Sequence, residues 1–191
     1  MTTLDERWQK GIETRTKFGG GTLTTGSTPF AWEMAPDLER IAGEFLFGSI
    51  WHGPALTDKQ REMVTVTCLT VLKKDNQVLR HLGNALNLGL TPVEIVEVLM
   101  HSSFYSGVPA TLDALAIAKQ VFEDRGINYT PQKVFDTTET PDQLNERGIA
   151  KRVEYMGPTS GGGPGPVTEA EKVFNRLTTE YYWGSTWTRP G

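Results

Sequence analysis

The side chains best able to move a proton at neutral pH are three histidines, His52, His81 and His101. Imidazole titrates near that range, so each is a candidate acid or base. No two of them share the His-x-x-x-His spacing of a helical metal site, so neither zinc nor iron is expected. Cys68 is the single cysteine, which excludes an internal disulfide and a dithiol couple within one chain. Amid Val64, Val66, Leu69 and Val71 it reads as a small core residue. Glu44 and Glu97 read first as ion-pair or capping partners on helices, and His101, one turn from Glu97, as its partner. Tyr105 reads first as a packed aromatic with a satisfied hydroxyl.

These residues need elements to hold them, and the sequence supplies helices. Pro36 and Asp37 open a segment with Leu38, Ile41, Ala42, Phe45, Leu46 and Ile50 at helical spacing, which predicts a helix over 37–51 with one buried face. Thr57 and Gln60 form a capping box, and a helix follows to about Lys73. Its β-branched middle, Val64 to Leu72, would suit a strand in isolation, but its context favours a buried helix. Asp75 can cap a third helix carrying Val78, Leu79, Leu82, Ala85 and Leu86, with Gly89 at its left-handed end. Thr91-Pro92-Val93-Glu94 joins an N-cap, a first-turn proline and a reciprocal glutamate, and starts a helix to about Tyr105. Gly107 and Pro109 punctuate the next start, and Leu112, Leu115, Ala116, Ala118 and Val121 make the stripe of a helix ending near Gly126. No βαβ alternation occurs, so the class is all-α.

Residues 20–36 are rich in Gly, Thr and Pro and read as an extended arm, residues 127–141 as a linker, and 158–166 as too rich in Gly and Pro to fold alone. An internal repeat spans these breaks. Glu44-Phe-Leu-Phe-Gly48-Ser49-Ile-Trp51-His-Gly-Pro54 recurs as Glu180-Tyr-Tyr-Trp-Gly184-Ser185-Thr-Trp187-Thr-Arg-Pro190, and Arg40 matches Arg176. Upstream, Gly11-Ile12 with Arg15 recurs as Gly148-Ile149 with Arg152. The expected organisation is a complete unit over 1–126, a linker over 127–143, and a partial second unit over 144–191 with an arm, a first helix and a Trp corner. Phe174, Leu177, Tyr181, Tyr182 and Trp183 of that second copy lack covering helices of their own, which predicts docking on the first unit, on another subunit or on a missing remainder.

The stretch Arg80-His81-Leu-Gly-Asn-Ala85-Leu-Asn87-Leu-Gly89-Leu-Thr91-Pro-Val-Glu94-Ile-Val-Glu97, followed by Tyr105-Ser-Gly107-Val-Pro109, resembles the central signature of the carboxymuconolactone decarboxylase family. Trp51 to Leu56, Arg61, Gly11 and Arg15 also fit it. The resemblance implies an AhpD-like all-α helical bundle that assembles into a homo-oligomer, a trimer or hexamer, with a pocket between neighbouring subunits. It implies a cofactor-independent lyase that decarboxylates a small unsaturated lactone or carboxylic acid. His81 falls at the motif histidine and takes the proton-transfer role, with Glu44 and Gln77 completing the candidate catalytic group. Trp51, His52, Tyr105, Trp187 and Arg189 are the candidate substrate-binding residues.

Two positions depart from the pattern. Where the lactone decarboxylases resemble Trp-x-Arg-Pro-Gly-Leu, this chain has Trp51-His52-Gly53-Pro54-Ala55-Leu56, so the corner lacks its arginine. Where they carry a glutamate four residues before the histidine stands Gln77, which can hydrogen-bond but is no base. The second copy retains the pattern in Trp187-Thr188-Arg189-Pro190-Gly191, and Arg189 is expected to supply the missing guanidinium to a first-unit pocket. The alternatives are a non-catalytic member serving ligand binding or oligomer assembly, and a biosynthetic enzyme with an altered substrate. The peroxidase branch of the fold needs Cys-x-x-Cys one turn before the histidine, and Lys74 and Gln77 stand there instead.

Across its 191 residues the chain has a formal charge of -4 and no run of Lys and Arg, which argues against a nucleic-acid partner. No apolar run approaches the roughly 20 residues that cross a bilayer, and residues 1–17 lack a signal peptide's apolar stretch. A soluble, cytoplasmic protein is expected.

Overall fold

The computed structural model describes residues 2–22, 33–158, 165 and 168–189. Most of the arm expected over 20–36 and of the Gly/Pro segment over 158–166, together with Pro190 and Gly191, lies outside the described residues. Every element among the described residues is helical, and the chain divides into two compact units, Met1–Tyr129 and Thr130–Gly191.

The first unit opens with α1 (Leu4–Phe18), which starts at a capping box between Thr3 and Glu6. The polar composition of this segment hid the helix, although Thr3-x-x-Glu6 is the same start signal as Thr57-x-x-Gln60. Next comes α2 (Pro36–Ile41), which runs directly into a π-helical segment, π1 (Ala42–Ile50). Its wide turns are visible in the Trp51 amide, which donates to the Leu46 carbonyl at 3.0 Å, five residues back. The Ser49 hydroxyl donates to the Glu44 carbonyl at 2.7 Å across the same interval. Nine residues of π-helix are rare, because such turns usually occur singly.

Packing against α1 explains which face of π1 is buried. A Cβ on Gly11 would lie 2.2 Å from the Gly43 carbonyl oxygen, and one on Gly48 would lie 1.9 Å from that of Arg7. Backbone therefore meets backbone at both positions, and only glycine leaves room. The buried face is the glycine face, so the apolar stripe expected to be buried turns outward: Leu38, Ile41, Phe45, Leu46 and Ile50 are all exposed. Arg40 clamps the pair, reaching Asp5 of α1 at 2.7 Å and Glu44 of π1.

Four further helices make the core. They are α3 (Asp58–Val71), α4 (Asp75–Asn87), α5 (Pro92–Ser106) and α6 (Val108–Asp124). Capping boxes at Thr57/Gln60 and Thr91/Glu94 start α3 and α5 as the sequence predicts. The β-branched run of α3 is helical, and Val66 sits on its buried face. Cys68 is exposed rather than a core residue, since the buried face of α3 passes through Glu62, Val66 and Thr70. Lys74, not Asp75, is the N-cap of α4, and Asp75 instead places its charge in the first turn, where the helix dipole favours it. Gly89 ends α4 with φ +87°, a conformation glycine adopts at little cost. On α6 the buried stripe is Thr111, Ala114, Ala118, Val121 and Phe122, while Leu112 faces outward. Val66, Val78, Leu82, Ala85, Ile95, Leu99 and Phe122 form the centre of the core.

The second unit contains α7 (Pro141–Met156), α8 (Glu169–Leu177) and a second π-helical segment, π2 (Thr178–Thr186). Helix α7 starts inside the stretch read as linker, at a capping box between Thr140 and Gln143. The contacts of the first hairpin recur. A Cβ on Gly148 would meet the Thr179 carbonyl oxygen at 2.0 Å, and one on Gly184 that of Leu144 at 2.2 Å. Arg176 reaches Asp142 at 2.6 Å and also pairs with Glu180. The Trp187 amide donates to the Tyr182 carbonyl at 3.0 Å, as Trp51 does to Leu46.

Candidate functional site

His81 stands on the exposed flank of the buried α4 stripe of Val78, Leu82 and Ala85. Its Nδ1 lies 2.7 Å from Oε1 of Glu62, which projects from α3. The Glu62 side chain has no exposed surface and that of His81 retains 18 %. One partner is thus sealed in the core while the ring keeps an open edge. The second carboxyl oxygen of Glu62, Oε2, has no hydrogen-bond partner among the described residues. Burial pushes the Glu62 carboxyl above the ordinary carboxylate range, and the hydrogen bond and charge of His81 oppose that rise. With Nδ1 committed to Glu62, Nε2 is the nitrogen free to exchange a proton with a bound molecule.

Glu62 was not singled out in the sequence, although a signal was present. Glu62, Val66 and Thr70 recur at intervals of four, which puts a carboxylate on the helix face that also carries core residues. A charged group at such a place is rarely buried without a partner.

Aromatic rings wall this dyad. Phe18, at the end of α1, is 4 % exposed and lies edge-on to Trp51 at 4.6 Å, to Phe47 at 5.8 Å and to His81 at 6.5 Å. Trp51 caps π1 and is itself buried. The end of α1 is fixed to α4 by Asn87, whose amide donates to the Phe18 carbonyl and whose side-chain oxygen accepts from Arg125 Nη1 at 2.7 Å. Arg125 also donates to the Gly83 carbonyl at 3.0 Å. The signature residues Gly83 and Asn87 therefore act by holding Phe18 beside His81.

The other sequence candidates fall at several places. Glu44 is paired with Arg40 one turn earlier, which gives it a structural task in the α1–π1 clamp. Gln77 lies in the first turn of α4 and lines a groove with Lys73, Lys74, Asp75 and Asn76. The His52 Nε2 lies 2.9 Å from the Lys10 carbonyl, which ties the corner to α1. Tyr105 is exposed, with its ring 5.7 Å from that of His101 on α5. Burial lowers the pKa of His101. Trp187 belongs to the second unit, stacked on Trp183 at 5.3 Å and edge-on to Tyr155 at 4.9 Å. Arg189 lines a cavity of about 340 Å³ in that unit with Arg147, Ser185, Thr188 and Glu139 among others.

Among the described residues no three His, Cys, Asp or Glu side chains gather as metal ligands, and no helix is long and apolar enough to cross a membrane. What the dyad can do unaided is move a proton at an apolar wall.

The sequence of this chain has known counterparts. Residues 36–120 match the model of the carboxymuconolactone decarboxylase family. Over 130 residues the chain is 32% identical to the 4-carboxymuconolactone decarboxylase of Acinetobacter baylyi, covering 68% of this chain and 96% of that protein. It is 25% identical over 117 residues to the nitrosuccinic acid decarboxylase of Metarhizium robertsii, covering 61% and 82% respectively. An uncharacterised 15.0 kDa protein of Paracoccus denitrificans is 29% identical over 94 residues, covering 48% of this chain and 70% of that one. The chain belongs to the carboxymuconolactone decarboxylase family. Two of these relatives are decarboxylases.

Proposed function

We propose that this protein is a cofactor-independent decarboxylase of a small carboxylic acid whose departing carboxylate sits next to an electron sink, and that His81 returns the proton. The observation that carries this is the 2.7 Å contact between His81 Nδ1 and the fully buried Glu62. The bond between carbon and carboxylate breaks, carbon dioxide leaves, and the electron pair delocalises into the sink. His81 then delivers the proton from Nε2 to that carbon and is recharged by solvent, so one proton is consumed per carbon dioxide released. Glu62 is a positioning residue: it fixes the tautomer and stabilises the imidazolium. Phe18 and Trp51 keep the reacting carbon in an apolar setting, where a carboxylate is less stable than the carbon dioxide it becomes.

The activities of two relatives, one on a lactone acid and the other on a nitro acid, support this substrate class, since both acids offer such a sink. The exposed row Leu38, Ile41 and Phe45 supports assembly into a homo-oligomer, a trimer or hexamer, in which that face is covered. The matching contacts of the α1–π1 and α7–π2 hairpins support an origin of the second unit by partial duplication.

The test is carbon dioxide release from 4-carboxymuconolactone and from nitrosuccinate by the purified full chain, followed manometrically or through a coupled carboxylase. Turnover of either acid that falls at least 100-fold in His81→Ala supports the reading. Turnover of neither acid, or full turnover in a folded His81→Ala protein, overturns it.

A further inference from the structure

We infer that Arg61 is the carboxylate anchor of the His81 site, its guanidinium held at the Trp51–Gly53 corner so that a substrate carboxylate completes its hydrogen bonds. This rests on the proposed decarboxylase reading for the identity of the site, though not for the presence of an anion subsite.

Arg61 directly precedes Glu62 on α3, and its side chain turns back to the corner that follows Trp51. There Nη2 donates to the Gly53 carbonyl at 2.5 Å. That is its one hydrogen bond to a described residue, and its Nε is buried with no partner. A guanidinium carries five N–H donors in a planar fork, so most of this fork is unmatched. The pattern differs from that of Arg15, Arg40, Arg147 and Arg176, each of which meets a carboxylate. A half-buried arginine with no carboxylate partner among the described residues and a desolvated Nε has lost hydration that an incoming anion can replace.

The corner itself explains why the arginine can sit there. A Cβ at Gly53 would lie 3.1 Å from Arg61 Nη2 and 3.9 Å from Cζ, so the absent side chain of residue 53 is replaced in space by this guanidinium. In the repeated corner of the second unit the corresponding residue is Arg189. One copy thus bears its positive charge on the corner residue, while the other bears it on the following helix. The ligand chemistry is a small mono- or dicarboxylate, bound side-on through two N–H groups of the fork.

Maleate, a small unsaturated dicarboxylate, serves as an unreactive probe, with its neutral dimethyl ester as control, and binding to the full chain is measured by calorimetry. Arg61→Gln is expected to weaken maleate about 10- to 100-fold and to leave the ester unaffected. Arg61→Lys, which keeps charge without the fork, should lie between. Adding Gly53→Arg to Arg61→Gln should restore much of the affinity, because residue 53 opens onto the same space. Arg80→Gln and Arg189→Gln should leave it unchanged, although Arg80 is also half-buried with burial lowering its pKa. If Arg61→Gln does not fold, Gly53→Ala takes its place, since a methyl there presses on the guanidinium and should weaken maleate alone. The inference is overturned if wild-type protein does not bind maleate, if folded Arg61→Gln binds it as wild type does, or if the loss follows Arg80 or Arg189 instead. Arg61-dependent maleate binding without turnover of either acid would sink the decarboxylase reading and leave the anchor standing. Turnover with an unchanged KM in Arg61→Gln would do the reverse.

Discussion

Replacing Glu62 by glutamine separates catalysis from folding, because the two side chains share a shape and differ in charge. The 2.7 Å contact between Glu62 Oε1 and His81 Nδ1 is in the range of a charge-assisted bond, worth roughly 1.5 to 3 kcal/mol when one partner is ionised. In the decarboxylation reading that bond is strongest when the ring is an imidazolium poised to give up its proton. At about 1.4 kcal/mol per tenfold, its loss lowers kcat roughly 10- to 150-fold. A glutamine amide that donates to Nδ1 would also oppose the Nδ1 proton that the imidazolium needs, and so deepen the loss. KM should change less than threefold, as Glu62 is fully buried and does not reach a ligand. Steady-state kinetics on whichever acid is accepted, with far-ultraviolet circular dichroism as a folding control, reads both quantities. An unchanged kcat would refute the dyad, and a raised KM at constant kcat would place Glu62 in binding instead.

Other consequences follow from the same geometry. The Glu62 carboxyl is shifted upward, so its neutral form is favoured by folding. Its contribution to stability is complete below the unfolded carboxylate range, near 4.3, and is lost as pH rises through the higher folded value. Thermal melts from about pH 4 upward should therefore show Glu62→Gln gaining on wild type as pH rises; a constant difference throughout would contradict the burial argument. Gly11→Ala and Gly48→Ala each force a methyl to within 2.2 Å or less of a backbone oxygen, and should cost about 2 kcal/mol or more in urea unfolding. A loss under 0.5 kcal/mol would show that the α1–π1 contact yields easily. Cys68 is exposed, so Cys68→Ser should leave the melting midpoint and turnover within error of wild type, and a drop in either would reveal a role for the thiol. Light scattering at micromolar concentration should give a trimer or hexamer mass, whereas a monomer would leave Leu38, Ile41 and Phe45 exposed without cause.

Local signals in the sequence carried much of the fold. Capping boxes at Thr57 and Thr91, the proline at 92 and the glycine at 89 mark helix ends through backbone chemistry that needs no tertiary context. The misread faces have a common origin. Apolar periodicity on 38–50 pointed to burial, but the contact with α1 is made by Gly43 and Gly48, whose value lies in lacking a side chain. Hydrophobic patterning is blind to such a contact, and it cannot see a π-helix, which shifts every residue's bearing after its first turn. The missed helices α1 and α7 are polar, and only their capping boxes announced them. His81 was legible because imidazole chemistry and the family signature coincide there. Glu62 was not, since a carboxylate in a helix first reads as solvated and only the partner helix α4 makes it a buried ligand of the ring.

The central claim, that the Glu62-supported His81 hands a proton to the carbon vacated by carbon dioxide, is tested most directly by running the decarboxylation in deuterium oxide and analysing the product by mass spectrometry and proton NMR. The account predicts one deuterium at that carbon in a single stereochemical configuration, formed by wild-type protein and made at least 100-fold more slowly by folded His81→Ala. Racemic deuteration by wild type, or stereospecific product formed at the wild-type rate without His81, would contradict it.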